Sequence, residues 1–103
     1  MIGKVPVFVP RTVLPEAEWL LRGVYSLPPE RGIPALRAFA GFPGVMVEDA
    51  GLVAEVLDWA EAGLDFANAL HLAAAAGCDG FVTFDKRFAC SGTRVSGLPV
   101  SVP

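Results

Sequence analysis

Several residue types that would assign this chain to a familiar protein class are scarce. Its 103 residues include two cysteines, Cys78 and Cys90, which are too few for a disulfide framework and which we expect to be reduced thiols. No apolar run reaches the roughly 18–20 residues of a membrane span. The first residues also lack the continuous apolar stretch of a signal peptide. These absences predict a cytoplasmic protein that does not enter a membrane.

Basic residues are missing from the middle of the chain. Residues 46–80 contain seven acidic side chains and no Lys or Arg, whereas residues 1–45 and 81–103 each carry a net charge of +2. This distribution excludes a broadly basic nucleic-acid binder. The acidic middle is either a solvated helix face or a region that gathers cations.

Apolar residues are unusually abundant for so short a chain. They make up 53% of the sequence, and the mean hydropathy is +0.52. Average globular domains reach a similar apolar fraction only when glycine is counted. The chain therefore has more apolar surface than a small monomer easily hides, which predicts a partner or a homo-oligomer.

Short apolar runs alternate with helical patterns along the chain. Strands are predicted at 5–10, 45–47, 80–84 and 98–102, and helices within 11–26, near 29–40, within 48–63 and over 65–77. Thr12 and Asp65 are the expected N-caps, and Gly77 is expected to end its helix. "GFVTF" (80–84) is typical of the interior of a parallel sheet, and "DKRFA" of a short turn or helix. The pattern predicts a single α/β domain with a mostly parallel sheet.

Acidic side chains lie at the helix starts and strand ends of this pattern. Glu16 and Glu18 fall in the first helix, Asp65 begins a later one, and Asp85 follows "GFVTF". Sites in parallel sheets form at the carboxyl ends of the strands, and Mg²⁺ prefers carboxylate oxygens, so a cation site could form there. The competing interpretation is that Asp65 is a helix cap, Asp85 a turn residue and the glutamates surface charges.

Two longer segments carry a resemblance to a known family. "VFVPRTVLPEAEWLLR" and "AGLDFANALHLAAAAGCDGFVTFDKRFA", with the helices between them, resemble PIN-domain proteins of the VapC type, over residues from about 5 to 100. These are the toxins of toxin–antitoxin pairs. The resemblance implies a three-layer α/β/α sandwich and an Mg²⁺- or Mn²⁺-dependent endoribonuclease. It also implies an RNA substrate and an antitoxin partner.

The family's acidic residues map incompletely onto this chain. The corresponding positions hold Glu16, Asp65, Asn68 and Asp85. Glu18 is a less suitable substitute for Glu16, and Thr83 is the usual hydroxyl companion of Asp85. Asn68 stands where the family has Asp, and an amide oxygen can coordinate a cation but carries no charge. We expect a degenerate metal site with weak Mg²⁺ or Mn²⁺ binding; the alternative is that Asn68 is a helix-start residue without a chemical role.

The largest departure from the family is at the front of the chain. The family begins with a central strand that ends in Asp, within a "D-T-N" or "D-T-S" pattern, and this sequence has no such segment. We therefore expect a PIN-like domain that lacks its first strand and first metal ligand, and that is inactive or badly impaired. The alternatives are a non-catalytic module that binds an antitoxin or another copy, and a fragment with no role.

The remaining candidate residues allow two interpretations each. His71, the single histidine, is either a general base near the site or a packed side chain bonded to the backbone. Three basic residues follow Asp85, and they either contact RNA phosphates or solvate a turn. They are Lys86, Arg87 and Arg94.

Overall fold

The computed structural model describes residues 6–103, in which helices and short strands alternate. The strands are β1 (Val7–Val9), β2 (Val45–Val47), β3 (Phe81–Val82) and β4 (Val100–Ser101). The helices are α1 (Val13–Gly23), α2 (Pro29–Ala40), α3 (Ala50–Glu61), α4 (Phe66–Ala73) and α5 (Lys86–Ser96). Within these residues, no helix has both the length and the apolar character needed to cross a membrane.

The chain divides into two compact units, each with its own parallel sheet. The N-terminal unit is Met1–Ala54 and the C-terminal unit is Glu55–Pro103, so the boundary falls within α3. In the described residues, β1 pairs with β2 and β3 pairs with β4, both in parallel. The expected α/β class with parallel strands is confirmed, and the strands form two pairs where one sheet was expected.

The N-terminal unit is a βααβ arrangement. The register joins Phe8 to Met46, with the crossover made by α1 and α2, which pack on each other. Val9, Leu14 and Leu36 are buried, whereas Phe8 and Met46 lie side by side and are exposed. A parallel pair needs such a crossover because a tight turn cannot return the chain in the same direction.

A charged contact joins the turns that follow β1 and β2. The Arg11 N–H donates to Oε1 of Glu48 at 3.0 Å, and the Arg11 guanidinium lies 2.8 Å from Oδ2 of Asp49. Asp49 has a φ of 51°, a conformation that Asp adopts more readily than most residues. These contacts fix the carboxyl end of the N-terminal sheet.

Helix α4 ends earlier than its sequence predicts. The expected N-cap Asp65 is confirmed, but the last helical residue is Ala73, four residues before Gly77. Beyond it, Ala75 N–H donates to Leu72 O and Ala76 N–H donates to Ala73 O, which are the tighter i→i−3 bonds. Alanine suits both bonding patterns, so the sequence could not separate the helix from the turns. Gly77, with a φ of +88°, ends the turns instead of the helix.

The C-terminal sheet is a compact βαβ unit in which α5 packs on β4. A Cβ added at Gly92 would lie 3.0 Å from Val100 Cγ2 and 3.1 Å from Phe88 Cε1, so only glycine fits there without movement. The rings of Phe81 and Phe88 meet edge to face, with centroids 5.5 Å apart. The segment "DKRFA" belongs to an eleven-residue helix, longer than the short turn or helix expected.

The prediction of a buried interior strand at 80–84 is wrong. The strand is two residues long, Val82 is 62% exposed and Phe84 is 88% exposed. A continuous apolar run is typical of a strand covered on both faces. Here β3 has only β4 as a neighbour among the described residues, so one edge and the residues along it stay in contact with solvent.

Candidate functional site

Asp65 begins α4 as its N-cap. The Asp65 Oδ2 accepts the backbone N–H of Asn68 at 3.2 Å, and the Asp65 side chain is exposed. This contact satisfies one of the N–H groups that the first turn of a helix leaves without an intrahelical partner. Asp65 is therefore accounted for by capping, whatever else it does.

Asp85 plays the same part for α5, immediately after β3. Its Oδ1 accepts the Phe88 N–H at 3.1 Å, while the Asp85 N–H donates to Thr83 Oγ1 at 3.1 Å. Thr83, the expected hydroxyl companion, thus contacts the backbone of Asp85. The carboxylate lies at the carboxyl end of a parallel strand, where sites in α/β sheets form.

Asn68 lies in the first turn of α4 and is half-buried. Its backbone N–H belongs to the Asp65 cap, so Asn68 and Asp65 are adjacent at the start of one helix. Both belong to the C-terminal unit, together with Asp85, and α4 packs on α5. Three of the four predicted site residues therefore come from one compact unit.

The two glutamates of α1 belong to the N-terminal unit and differ sharply. Glu16 is exposed in the first turn. Glu18 is buried, and its two carboxylate oxygens accept Arg22 Nε at 2.9 Å and Arg22 Nη2 at 3.3 Å. This bidentate contact occupies both carboxylate oxygens of Glu18, whereas Glu16 is exposed.

His71 does not have the packed environment expected of it. The side chain is exposed on α4, although its neighbours Leu72 and Ala73 are buried. Of the two interpretations, the packed histidine bonded to the backbone is wrong. The reason is helical geometry: residues adjacent in sequence point about 100° apart, so an apolar neighbour does not imply burial.

The carboxylates of the described residues are not gathered into one metal-binding cluster. Across residues 6–103, no three or more His, Cys, Asp or Glu side chains come close enough together to hold one. Mg²⁺ requires near-octahedral oxygen coordination, with one or two carboxylates and several waters or substrate oxygens. One carboxylate oxygen of Asp65 and one of Asp85 accept a backbone N–H as helix caps, and the Asn68 amide carries no charge.

Cations gather on one exposed face of α5, which we call the basic face. It consists of Lys86, Arg87, Cys90 and Arg94, all exposed. At 3.6 residues per turn these positions fall within an arc of about 100°. Phe84, the most exposed large apolar residue described, lies two residues before this helix. The sequence showed the three charges, but it did not show that they share a face with Cys90 or that Phe84 is exposed.

The outer edges of the two sheets differ in their hydrogen-bonding groups. Phe81 N–H donates to Pro99 O and Thr83 N–H to Ser101 O, so the N–H and C=O of the intervening Val82 point away from β4. In β1, the Val7 N–H donates to Gly44 O and the Val9 O accepts the Glu48 N–H, so both residues bond toward β2. The backbone groups of residues 6, 8 and 10 therefore point away from β2. Two of those three are Pro6 and Pro10, which have no N–H to offer.

At the other edge of the C-terminal sheet, on β4, the hydroxyl of Thr93 hydrogen-bonds to the backbone. Thr93 Oγ1 accepts the Val100 N–H at 2.8 Å. The same oxygen lies 3.2 Å from Val100 O and 3.1 Å from Ala89 O, and its single proton serves one of them at a time. Val100 thus has its outward N–H bonded, whereas Val82 on β3 has its outward groups on the open side.

Comparisons of the chain with protein-family models, with curated proteins and with solved structures give no match. The resemblance to PIN-domain proteins therefore rests on the motifs themselves.

Proposed function

We propose that this chain is a PIN-like domain of the VapC type whose endoribonuclease site is degenerate, acting in the cytoplasm beside an antitoxin. The observation that carries the proposal is the β3–Asp85–α5 junction. There an acidic side chain follows a parallel strand, caps a helix and is joined to Thr83 two residues earlier. The resemblance of the segment "TFDKRFA" to the family implies an acidic residue after a late strand, with a hydroxyl companion two residues earlier. The full three-layer sandwich is part of the same proposal.

Impairment follows from the ligands that this chain offers. Asn68 replaces a carboxylate with a neutral amide, and the residues that the structure describes include no cluster of three metal-binding groups. With Asn68 in place of a carboxylate, Glu16, Asp65 and Asp85 are the acidic side chains left to hold an Mg²⁺ ion at these positions. Loss of even an outer partner of a metal costs about 10–100-fold in affinity or activity.

Metal binding is the direct test of the degenerate site. We expect titration calorimetry with Mn²⁺ to give weak heats without a defined stoichiometry, because two of the family's carboxylates are missing. Asn68→Asp should strengthen binding, since it adds a charge at a helix N-terminus, where negative charge is favoured. Tight one-to-one binding by the unchanged chain would contradict the proposal.

We expect cleavage only after two changes to this 103-residue chain. One repair is Asn68→Asp, and the other adds a family-like strand and helix carrying "D-T-N" in front of β1. Groups that act as one unit are strongly non-additive, so each repair alone should leave cleavage near background. We expect EDTA-sensitive cleavage of a mixed RNA pool only by the doubly repaired protein.

Asp85 supplies the control for that experiment. Asp85→Ala removes both the charge and the cap, whereas Asp85→Asn keeps a good N-cap and removes only the charge. Both should abolish cleavage by the doubly repaired protein. EDTA-sensitive cleavage by the unchanged chain that Asp85→Asn removes would show that the site is not impaired. A doubly repaired protein that folds and never cleaves would overturn the nuclease assignment.

The second candidate function is a non-catalytic interaction module that associates with a second copy. The observation in its favour is the open edge of β3, where Gly80, Val82 and Phe84 all retain backbone N–H groups and Val82 is exposed. An uncovered strand edge is a template for strand addition. A 53% apolar composition points the same way.

Sedimentation at tens of micromolar tests this candidate. We expect a dimer or larger species that Val82→Lys shifts toward monomer, because a charge on an edge strand opposes pairing. Val24→Lys is the matched control, since Val24 is similarly exposed but lies at the end of α1. A well-folded monomer would exclude self-association. Stable capture of the product of an adjacent antitoxin reading frame by that monomer would assign the edge to the antitoxin instead.

A further inference from the structure

We propose that the basic face of α5, together with Phe84, binds single-stranded nucleic acid through phosphate contacts and base stacking. The inference rests on the proposed function, in that RNA is the substrate of the resembled family. It specifies which residues of this chain hold the strand, and binding can be measured without cleavage.

The charge of the C-terminal unit is strongly segregated. Its only three cations are Lys86, Arg87 and Arg94, and no acidic residue occurs from position 86 to the end of the sequence. All three are exposed on one side of α5, and from Lys86 to Arg94 the face is about 12 Å long at 1.5 Å per residue. Such a face can follow more than one phosphate of an extended strand.

One acidic group borders the basic face. Asp85 directly precedes Lys86, and its Oδ1 is held by the Phe88 N–H at 3.1 Å. This contact keeps the carboxylate at the helix start, while the basic face extends away from it toward the C-terminus of α5. Along α5 itself, an anionic partner therefore meets three cations, with the Asp85 carboxylate at the N-terminal end of the helix.

Phe84 distinguishes a nucleic acid from other anions. Its side chain is 88% exposed, so packing does not account for it, and the residue precedes α5 by two positions. Exposed aromatic rings beside Lys and Arg are the usual platform for unpaired bases, which stack on them without regard to sequence. A duplex keeps its bases paired and stacked, so this ring favours a single strand.

A membrane surface fits α5 less well. An interfacial helix needs a broad apolar face beside its basic residues. The apolar side of α5 is turned inward, with Phe88 buried and Gly92 packed against Val100. The exposed apolar side chains before α5 are Phe84 and, two residues earlier, Val82, and these do not make the broad apolar face of an interfacial helix.

Fluorescence anisotropy with a labelled single-stranded RNA of mixed sequence, in EDTA, tests the inference. We expect the logarithm of affinity to fall with the logarithm of salt concentration with a slope of about −2, since each phosphate contact contributes about −0.7. Replacing Lys86, Arg87 and Arg94 with Gln should bring the slope near zero. Phe84→Ala should weaken binding about tenfold with the slope unchanged.

Matched variants distinguish binding at this surface from nonspecific electrostatic or hydrophobic binding elsewhere on the protein. Arg94→Gln should weaken binding severalfold, whereas Arg31→Gln, an exposed arginine on α2, should not. Phe42→Ala removes another exposed ring and should leave binding intact. Equal losses for Arg31→Gln and Arg94→Gln would overturn the proposal, as would no effect of Phe84→Ala, since charge alone fits any polyanion.

The two free cysteines provide an independent footprint. Cys90 lies within the basic face, and Cys78, before β3, is also exposed. Bound RNA should slow maleimide alkylation of Cys90 severalfold and leave Cys78 unchanged. Equal rates at Cys90 with and without bound RNA would place the strand elsewhere. So would binding of phosphatidylserine vesicles, but not RNA, by the same residues.

The same experiments distinguish failure of this inference from failure of the nuclease assignment. If RNA binding requires the basic face but the doubly repaired protein does not cleave RNA, the binding surface is supported and the nuclease assignment is rejected. Cleavage by the repaired protein that is unaffected by the basic-face and Phe84 variants keeps the enzyme and overturns this surface.

Discussion

Each of the two units contains one pair of parallel strands, but the free edges of β1 and β3 differ in the backbone N–H groups that they expose. In β1, Pro6 and Pro10 leave the edge with one N–H over three outward positions, which opposes the addition of another strand. The free edge of β3 contains no proline. The side-chain hydrogen bond to a strand edge in this sheet is on β4, where Thr93 Oγ1 accepts the Val100 N–H. The comparison teaches that topology does not determine which edges are open; a few residues do.

The same contrast extends to helix starts. In the C-terminal unit, α4 and α5 begin with aspartates whose side chains bond the backbone. In the N-terminal unit, α1 begins at Thr12 and α2 at Pro28, and neither has a side-chain cap bond. The prediction of Thr12 as a side-chain cap is therefore wrong, because its backbone is already in the helical region with φ −69° and ψ −19°. Side-chain caps therefore begin α4 and α5 but not α1 and α2.

The largest expected effect tests how tightly each unit is packed. Gly92→Ala places a methyl group against Val100 and Phe88 and should cost about 1–3 kcal/mol. Gly32→Ala meets nothing within 4 Å inside α2 and should stabilise by about 0.5–1 kcal/mol. Urea unfolding of the two variants measures both. Similar changes for the two would mean that the packing of α5 on β4 is not tighter than that of α2.

The second effect concerns the closed edge of β4. Thr93→Val keeps the shape of the side chain and removes the hydroxyl that bonds Val100, at a cost of about 1–2 kcal/mol. Thr12→Val, which removes a hydroxyl without a cap bond, should stay within about 0.5 kcal/mol. Amide hydrogen exchange at Val100 should quicken only in the first variant. Unchanged exchange there would remove Thr93 from this role.

The third effect sharpens the contrast in helix starts. Asp65→Ala and Asp85→Ala should each destabilise by about 1 kcal/mol, while the Asn replacements should cost a few tenths at most. Thermal unfolding checks all four variants. If Asn costs as much as Ala at either position, then charge rather than capping holds that helix start, and the carboxylate has a further partner.

The smallest expected effect comes from giving the β1 edge the N–H groups that the β3 edge already has. Pro6→Val together with Pro10→Val restores N–H groups to β1 and should strengthen self-association about tenfold or less, with little change in fold stability. Sedimentation equilibrium measures the change, with Val82→Lys as the opposite perturbation on β3. No change in association would mean that the prolines of β1 are not what protects its edge.

Much of the local structure could be predicted, because it depends on groups a few residues apart. The strand at 45–47, the helix at 29–40 and the Asp65 cap agree with the structure. Asp85 was expected at the end of a strand, which is also observed, though its strand is shorter and its helix longer than expected. The exposure of His71 and Phe84 could not be predicted, because it depends on which distant residues cover them.

The sequence by itself determined where chain direction changes and which backbone groups are available. Proline removes an N–H wherever it stands, aspartate caps the helix that follows it, and these effects need no neighbours beyond one turn. Tertiary structure alone decided that Glu18 is buried, that Val82 faces solvent and that Val100 lies against Gly92. Burial and close packing are properties of the surroundings, and the surroundings come from residues far apart along the chain.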